Sequence, residues 1–271
     1  MMDDFTGGVA VITGGASGIG LGLASKLVDE GMRIVIADIE TAALEKAAEG
    51  LRAKGADVLA VQCDVSDRSQ VEALAINAYE HFGNVNFLAN NAGVVSRHKA
   101  WDAPDDWDWV LGIDLMGVVY GVQSFVPRML ASGEPGHVLN TASTAGLLAF
   151  PGIASYNVAK RGVVALSETL HHEFKGSALS VSVLCPGMVD TNIGTSERNR
   201  EGIDFQPHPE KFVVSDANEN LTPDEVAEIV VDEIRQGIFW ILPHKHYGNQ
   251  ALEQANRIIS GGGPVLPHID R

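Results

Sequence analysis

Tyr156 and Lys160 stand four residues apart in Tyr156-Asn157-Val158-Ala159-Lys160, and Ser143 precedes that tyrosine by thirteen residues. In a helix, positions 156 and 160 share one face, a turn apart. An ammonium held there favours the phenolate and lowers a phenol pKa that is about 10 when unperturbed. A tyrosine tuned in this way can pass a proton to or from a substrate oxygen. Tyr and Lys at this spacing also occur by chance on many helices, so the pair gains meaning only from its company. That company lies far upstream, in the glycine-rich run Thr13-Gly14-Gly15-Ala16-Ser17-Gly18-Ile19-Gly20. Together the two motifs describe nucleotide-dependent redox chemistry with a phenol as acid and base.

A dinucleotide-binding turn needs glycine for tight backbone geometry, for close approach of pyrophosphate and for close helix–strand packing. Gly14, Gly18 and Gly20 can meet those needs, with Ser17 and Ile19 beside them. A helix beginning near Gly18 would offer its free amides to the phosphates. The apolar run Val9-Ala10-Val11-Ile12-Thr13 reads as a buried parallel strand leading into the turn, which is the context such a motif requires. Asp38 ends a second apolar run, 18 residues past Gly20. Its carboxylate can accept from the adenosine ribose hydroxyls and would repel a 2′-phosphate, and the next residue is Ile39 rather than arginine. That favours NAD over NADP; the other reading of Asp38 is a helix N-cap. Asp64, after the third run, can hydrogen-bond the adenine amine or serve as a strand-end turn.

These side chains need a scaffold. Short apolar runs near 9–13, 33–37, 57–62, 85–89, 137–141, 179–184 and 239–242 alternate with helical periods near 19–30, 41–54, 71–82, 104–130 and 154–175. Thr222-Pro223-Asp224-Glu225 carries a capping box that opens a further helix. Strand alternating with helix this regularly predicts an α/β fold, a doubly wound parallel sheet of about seven strands in one domain spanning residues 1–271. The polar stretch 191–221, with Pro207 and Pro209, breaks the rhythm and reads as a substrate loop or lid. Residues 251–271 read as a flexible tail or as one packed on a partner subunit.

A chain of 271 residues with 45% apolar composition suits one large domain. No unbroken apolar run approaches the roughly 18 residues of a membrane span. The start, Met1-Met2-Asp3-Asp4-Phe5, is acidic where a secretory signal is basic, so the expected compartment is the cytoplasm. Cys63 and Cys185 form neither a disulfide framework nor a zinc spacing and read as buried small hydrophobes. A formal charge of −16 argues against nucleic acid as a partner.

With these blocks in place the chain resembles the short-chain dehydrogenase/reductase family across nearly its whole length. The resemblance rests on Thr13 to Gly20, Asp64-Val65, Asn90-Asn91-Ala92-Gly93, Ser143, Tyr156 to Lys160, and Pro186-Gly187-Met188-Val189-Asp190-Thr191. It implies a Rossmann-type single domain, usually a homotetramer or homodimer, and hydride transfer with a nicotinamide. Position by position, it implies Tyr156 as acid/base, Ser143 on the substrate oxygen, and Lys160 on the nicotinamide ribose. It assigns Val65, Asn91, Ala92 and Gly93 to the cofactor, Asn90 and Gly93 to its floor, and Pro186, Gly187, Val189 and Thr191 to the nicotinamide end. On chemistry alone, Ser143 is also readable as a helix cap or turn residue, with Thr141 or Thr144 as alternative donors, and the assignment stays with Ser143. One departure stands out: the family usually has asparagine where this chain has Asp114. A carboxylate there favours the charged form of Lys160, and the expectation is activity with an altered pH profile.

The residues expected around the substrate are largely apolar: Val94, Val95, Ala145, Leu147, Leu148, Phe150, Pro151 and Met188, with Thr144 among them. Phe205 and Phe212 are expected to close over it. Such walls favour a hydrophobic secondary alcohol or ketone, aryl, alicyclic or steroid-like. Arg97, His98 and Lys99 can meet an anionic substrate tail, although a solvated basic loop is the commoner explanation. His208, His244 and His246 have no metal-site spacing and read as surface histidines, so no metal is expected. Two rival readings remain: a sugar-nucleotide epimerase or dehydratase, normally with a larger C-terminal domain, and a non-catalytic NAD sensor.

Overall fold

Seven parallel strands form the centre of the molecule in the order β3-β2-β1-β4-β5-β6-β7. The computed structural model describes residues 4–200 and 220–267. The first half runs β1 (Val9–Thr13), α1 (Gly18–Asp29), β2 (Arg33–Asp38), α2 (Thr41–Ala53), β3 (Val58–Gln62), α3 (Arg68–Phe82) and β4 (Phe87–Asn90). The second runs α4 (Pro104–Leu111), α5 (Gly117–Ser132), β5 (Gly136–Thr141), α6 (Ala154–Glu173), β6 (Leu179–Leu184), α7 (Pro223–Arg235), β7 (Trp240–Ile241) and α8 (His246–Ser260). This is the doubly wound α/β architecture expected from the alternation.

The two-residue period of the strands divides the core. Ala10, Ile12, Ile34, Ile36 and Ala89 face one side, where they pack with Leu23 and Leu27 of α1, Leu44 and Leu51 of α2, and Val226 and Val230 of α7. Val9, Val11, Val35, Leu88 and Val138 face the other, against α3, α5 and α6. Both faces are therefore buried, which is why the strands read as nearly continuous apolar runs. The capping box at the start of α7 is present, with Thr222 accepting from the Glu225 amide and the Glu225 side chain accepting from the Thr222 amide.

Strand order reverses at β1. From there the chain winds outward to β2 and β3 on one side and to β4 through β7 on the other. The crevice above the carboxyl ends of β1 and β4 is where this topology collects loops, and it is the natural ligand position of such sheets.

Three expectations change. The helix expected over 104–130 is interrupted by a π turn, Gly112–Met116, between α4 and α5. Pro104–Ser132 also has the length and mean hydropathy, 1.5, of a membrane-crossing helix. It is not an unbroken apolar run, because Asp114, Gln123 and Ser124 divide it; Phe125, Val126 and Met129 lie in the core against α3. The tail is ordered as α8 through Ser260, and Tyr247 in its first turn is buried. Within the long polar stretch, Asn192–Asn199 forms 3-10 turns; Phe205, His208 and Phe212 lie outside the described residues.

Candidate active site

The carboxyl ends of β1 to β6 and the first turns of α1, α6 and α8 meet at one crevice of about 1590 Å³. The backbone amides of its floor are tied down first. Thr13 Oγ1 accepts from the amides of Asn91 (3.0 Å) and Ala92 (3.1 Å), and Asn91 Nδ2 returns a bond to the Thr13 carbonyl at 3.1 Å. Thr141 Oγ1 donates to Asn91 Oδ1 at 3.3 Å, joining the ends of β1, β4 and β5.

The glycine turn lies against this floor. Gly14 has φ +64, and a Cβ there would sit 2.9 Å from Ala92 Cα. Gly20 faces inward rather than into the crevice, and a Cβ on it would lie 2.1 Å from the Gly14 carbonyl oxygen. Only glycine allows α1 to start so close to the turn. No acidic residue occupies the first turn of α1, so its amide end presents partial positive charge to the crevice. Asp38, at the end of β2, accepts from the amides of Ala16 and Glu40, each at 3.1 Å. It is therefore not the α2 N-cap, a position held by Glu40. Burial pushes its carboxyl up, opposed by those amide bonds. Asp64 also lines the crevice, while its Oδ1 accepts from the Ser66 amide and hydroxyl at 2.9 and 2.7 Å; both readings of this residue are compatible with its position.

At the other end, Ser143, Tyr156 and Lys160 line the same wall. Ser143 caps the 3-10 turn Thr144–Gly146, accepting from the Ala145 amide at 3.1 Å, and donates to the Pro186 carbonyl at 3.4 Å. The capping role weighed from sequence is thus real, and it holds the hydroxyl in the crevice. Tyr156 and Lys160 lie in the first two turns of α6, with the Lys160 ammonium 5.4 Å from the tyrosine ring centroid. Lys160 is 2% exposed; its Nζ donates to the Thr141 carbonyl at 3.1 Å.

The π turn explains Asp114. It brings this carboxylate, 0% exposed, under the crevice, where Oδ1 accepts from the Val94 amide at 2.8 Å and Oδ2 lies 3.1 Å from Lys160 Nζ. Irregular helical turns of this kind occur frequently at functional sites. Burial alone would lower the Lys160 pKa, but the Asp114 charge, then Tyr156, turns it upward and the ammonium stays charged. Burial pushes Asp114 up, against the pull of Lys160 and the Val94 amide. Here the simple expectation for Tyr156 changes. Its pKa is raised, because burial outweighs Lys160, and Asp114 adds to the rise; the Ser143 hydroxyl pulls the other way.

Most sequence-derived positions converge on this crevice: Gly14, Ser17, Gly18, Ile19, Asp38, Asp64, Val65, Asn91, Ala92 and Gly93 at one end, and Pro186, Gly187, Met188, Val189 and Thr191 at the other. Val95, Thr144, Ala145 and Phe150 line it too. Leu148 does not; it is 1% exposed and turned into the protein. Leu147 packs in the core beside Val163 and Val164 instead. Asn90 lies beneath the floor, donating to Asn140 Oδ1 at 2.9 Å. His98 is no solvated loop residue: it is 7% exposed, with Nε2 2.7 Å from Ser155 Oγ at the start of α6. His244 is buried as well. Its Nδ1 accepts from the Gly187 amide at 3.0 Å and its Nε2 donates to the Met188 carbonyl at 2.9 Å, orienting that loop.

Sequence reasoning missed Ile113, Ile193, Ser196, Arg198 and Tyr247, all of which line the crevice. Ile113 carried a usable signal, since it neighbours Asp114. The others come from segments with no motif. Ser196 stitches its segment to the loop after β4, accepting from the Val95 amide at 3.0 Å and donating to its carbonyl at 3.3 Å. Arg200 pairs with Asp106 of α4 beside it.

Comparison with known proteins bears on the family and the fold. The short chain dehydrogenase family model matches residues 8–202. A CLA biosynthesis dehydrogenase/reductase of Lactiplantibacillus plantarum is 31% identical, with 99% of each chain covered. A 1-deoxy-11-beta-hydroxypentalenate dehydrogenase of Streptomyces avermitilis is 34% identical over 92% of this chain and 89% of that protein. Among solved structures, a short chain dehydrogenase/reductase from Burkholderia phymatum in complex with NAD superposes with a TM-score of 0.91 at 38% identity, covering 98% of this chain and 99% of the other. A seven-stranded parallel sheet, a family model matching residues 8–202 and a relative 31% identical over 99% of its length lead to one conclusion: the chain belongs to the short-chain dehydrogenase family.

Proposed function

We propose that this protein is an NAD-dependent dehydrogenase acting on a hydrophobic secondary alcohol, or in reverse on the ketone, with Tyr156 as acid and base. Its family makes it an oxidoreductase, its dehydrogenase relatives support action on alcohols, and a structural neighbour bound to NAD supports a nicotinamide cofactor. The observation that carries the reading is the shared wall: Ser143, Tyr156 and Lys160 line the same crevice as the glycine turn and Asp38.

The residues present fit such a cofactor. Close packing leaves no room for a Cβ at Gly14 or Gly20, the first turn of α1 carries no acidic residue, and Asp38 lines the crevice where ribose hydroxyls would lie. Gly14, Ser17, Gly18 and Ile19 would hold the pyrophosphate, Asp64 and Val65 the adenine, and Asn91, Ala92, Gly93, Pro186, Gly187, Val189 and Thr191 the nicotinamide half. A bound nicotinamide supplies the two-electron acceptor or donor.

The rest is the work of this chain. Ser143 donates to the substrate oxygen and holds it against Tyr156. In the oxidative direction the Tyr156 phenolate takes the alcohol proton; in the reductive direction the phenol gives it back. Lys160 stabilises the phenolate by its charge. Asp114 keeps that ammonium in place and charged, at the cost of damping its pull on the phenol. Burial of Ser143, Lys160 and Asp114 makes their interactions stronger than they would be in open solvent.

Val94, Val95, Phe150, Ile153, Met188 and Ile193 give the substrate end its apolar character, which suits aryl, alicyclic or steroid-like alcohols. We include in this reading a homodimer or homotetramer and a cytoplasmic location; light scattering and fractionation test each. The enzymatic proposal is tested by mixing the protein with NAD and a panel of hydrophobic secondary alcohols while following absorbance of reduced nicotinamide. Turnover abolished by Tyr156→Phe supports it. NAD binding without turnover on any alcohol would instead favour a cofactor sensor.

A further inference from the structure

Two charged side chains at the Asp38 end of the crevice have no part in the reading so far. Glu40 follows β2 and opens α2, and Arg198 comes from the segment Asn192–Asn199, far along the chain. Both line the crevice together with Asp38, Ile39 and Asn199. Their side chains meet as a fork: Arg198 Nη2 lies 2.5 Å from Glu40 Oε1, and Nε lies 3.4 Å from Oε2. Asn199 Nδ2 adds a third donor to Oε1 at 3.0 Å. The remaining arm, Nη1, donates to the Asn192 and Thr195 carbonyls at 3.2 and 3.0 Å. The guanidinium is therefore anchored by its own segment whether or not Glu40 is present. Burial would raise the Glu40 pKa, but the bonds from Arg198 and Asn199 outweigh it and keep the carboxylate ionised.

We propose that Glu40 is a second determinant of nucleotide choice, acting by occupying Arg198 so that this guanidinium is closed to a ribose 2′-phosphate. The inference rests on the NAD reading above and sharpens it. A guanidinium fork suits phosphate as well as it suits carboxylate. Left unpaired, Arg198 would be a ready phosphate site at the ribose end of the crevice, and Asp38 alone would have to reject NADP against it. Glu40 satisfies that fork internally and sets a second negative charge beside Asp38. The pair also ties the β2–α2 loop to the segment Asn192–Asn199. The side chains remain 32% and 27% exposed, so neither is part of the core.

Calorimetric titration of NAD and NADP into the wild type, Glu40→Gln, Arg198→Ala and the double variant tests this without relying on turnover. Glu40→Gln is expected to tighten NADP binding about tenfold or more, with each tenfold corresponding to about 1.4 kcal/mol, while NAD affinity changes little. Adding Arg198→Ala to Glu40→Gln should remove that gain. Unchanged NADP affinity in Glu40→Gln, or a gain that survives in the double variant, overturns the proposal; the latter would mean that loss of repulsion alone is at work. The wild-type titrations test the underlying reading separately, because equal or tighter NADP binding there would overturn the NAD assignment itself.

Discussion

Strand β5 holds a buried titratable contact at each end, and the two are solved in opposite ways. At its amino end, His137 is 3% exposed, stacks on Phe87 and, among the described residues, has the Ser180 hydroxyl as its hydrogen-bond partner, Nδ1 to Oγ at 2.8 Å. Burial pushes its pKa down to about 3, so it is neutral in the fold. At the carboxyl end, the Thr141 carbonyl receives a charged Lys160, whose ammonium is matched by Asp114. A buried ion is expensive unless paired and hydrogen-bonded. The protein avoids the charge where nothing uses it and supports it where the proposed proton transfer needs it.

The largest test of that contrast is chemical. Tyr156→Phe is expected to lower kcat by about a thousandfold or more, roughly 4 kcal/mol, with NAD affinity by titration nearly unchanged; parallel losses of both would mean the phenol only shapes the site. Next, Asp114→Leu strands the Lys160 ammonium without its counter-ion. Urea unfolding should then show a loss of about 3–5 kcal/mol, the usual consequence of breaking one side of a buried pair. A loss under about 1 kcal/mol would reveal a pair no better than a surface one.

His137 predicts acid sensitivity from the opposite end of the strand. Its folded pKa is depressed to about 3, below the ordinary 6.5. The unfolded chain therefore takes up a proton that the folded one refuses, and stability falls as pH drops from about 6.5 toward 3, by up to about 1.4 kcal/mol per pH unit. His137→Gln should flatten that part of the stability profile; an unchanged slope would assign it to other groups.

A finer effect concerns Asp114→Asn. Removing the carboxylate removes one cause of the raised Tyr156 pKa, so the alkaline-rising limb of the oxidation rate should move to lower pH. Movement to higher pH would contradict the arrangement. A thousandfold gain in rate, about 4 kcal/mol, would mean that the natural carboxylate cripples catalysis. The smallest effect belongs to an exposed pair, Arg128–Glu72, whose side chains are 35% and 44% exposed. Glu72→Ala should cost no more than about 1 kcal/mol in the same unfolding assay, which gives the scale against which the buried pair is judged.

Much of this was legible before any coordinates. Apolar runs marked all seven strands, because a sheet covered on both faces tolerates little else. The capping box at Thr222 and Glu225 announced α7, since its chemistry is local. The glycine turn was equally clear, as its requirements are set by neighbours a few residues away. Tyr156 and Lys160 were recognisable by helical spacing and by their company. By contrast, α8 has no side-chain cap, so residues 251–271 read by sequence as a tail, and the π turn at Asp114 leaves no local signature. By sequence His98 reads as part of a solvated basic loop and His244 as a surface histidine; their contacts come from Ser155 and from Gly187, 57 residues away in each case.

What the chain determined by itself was therefore whatever depends on short-range geometry: strand and helix periods, the glycine turn, the Tyr–Lys face and the carboxylate at Asp38. Tertiary structure alone decided the meetings between distant segments. It set Asp114 under Lys160, brought Arg198 to Glu40 and raised a phenol that spacing suggested would be lowered. Spacing describes which side chains can be neighbours along one element, but desolvation and charge pairing depend on what every other element brings to the same volume.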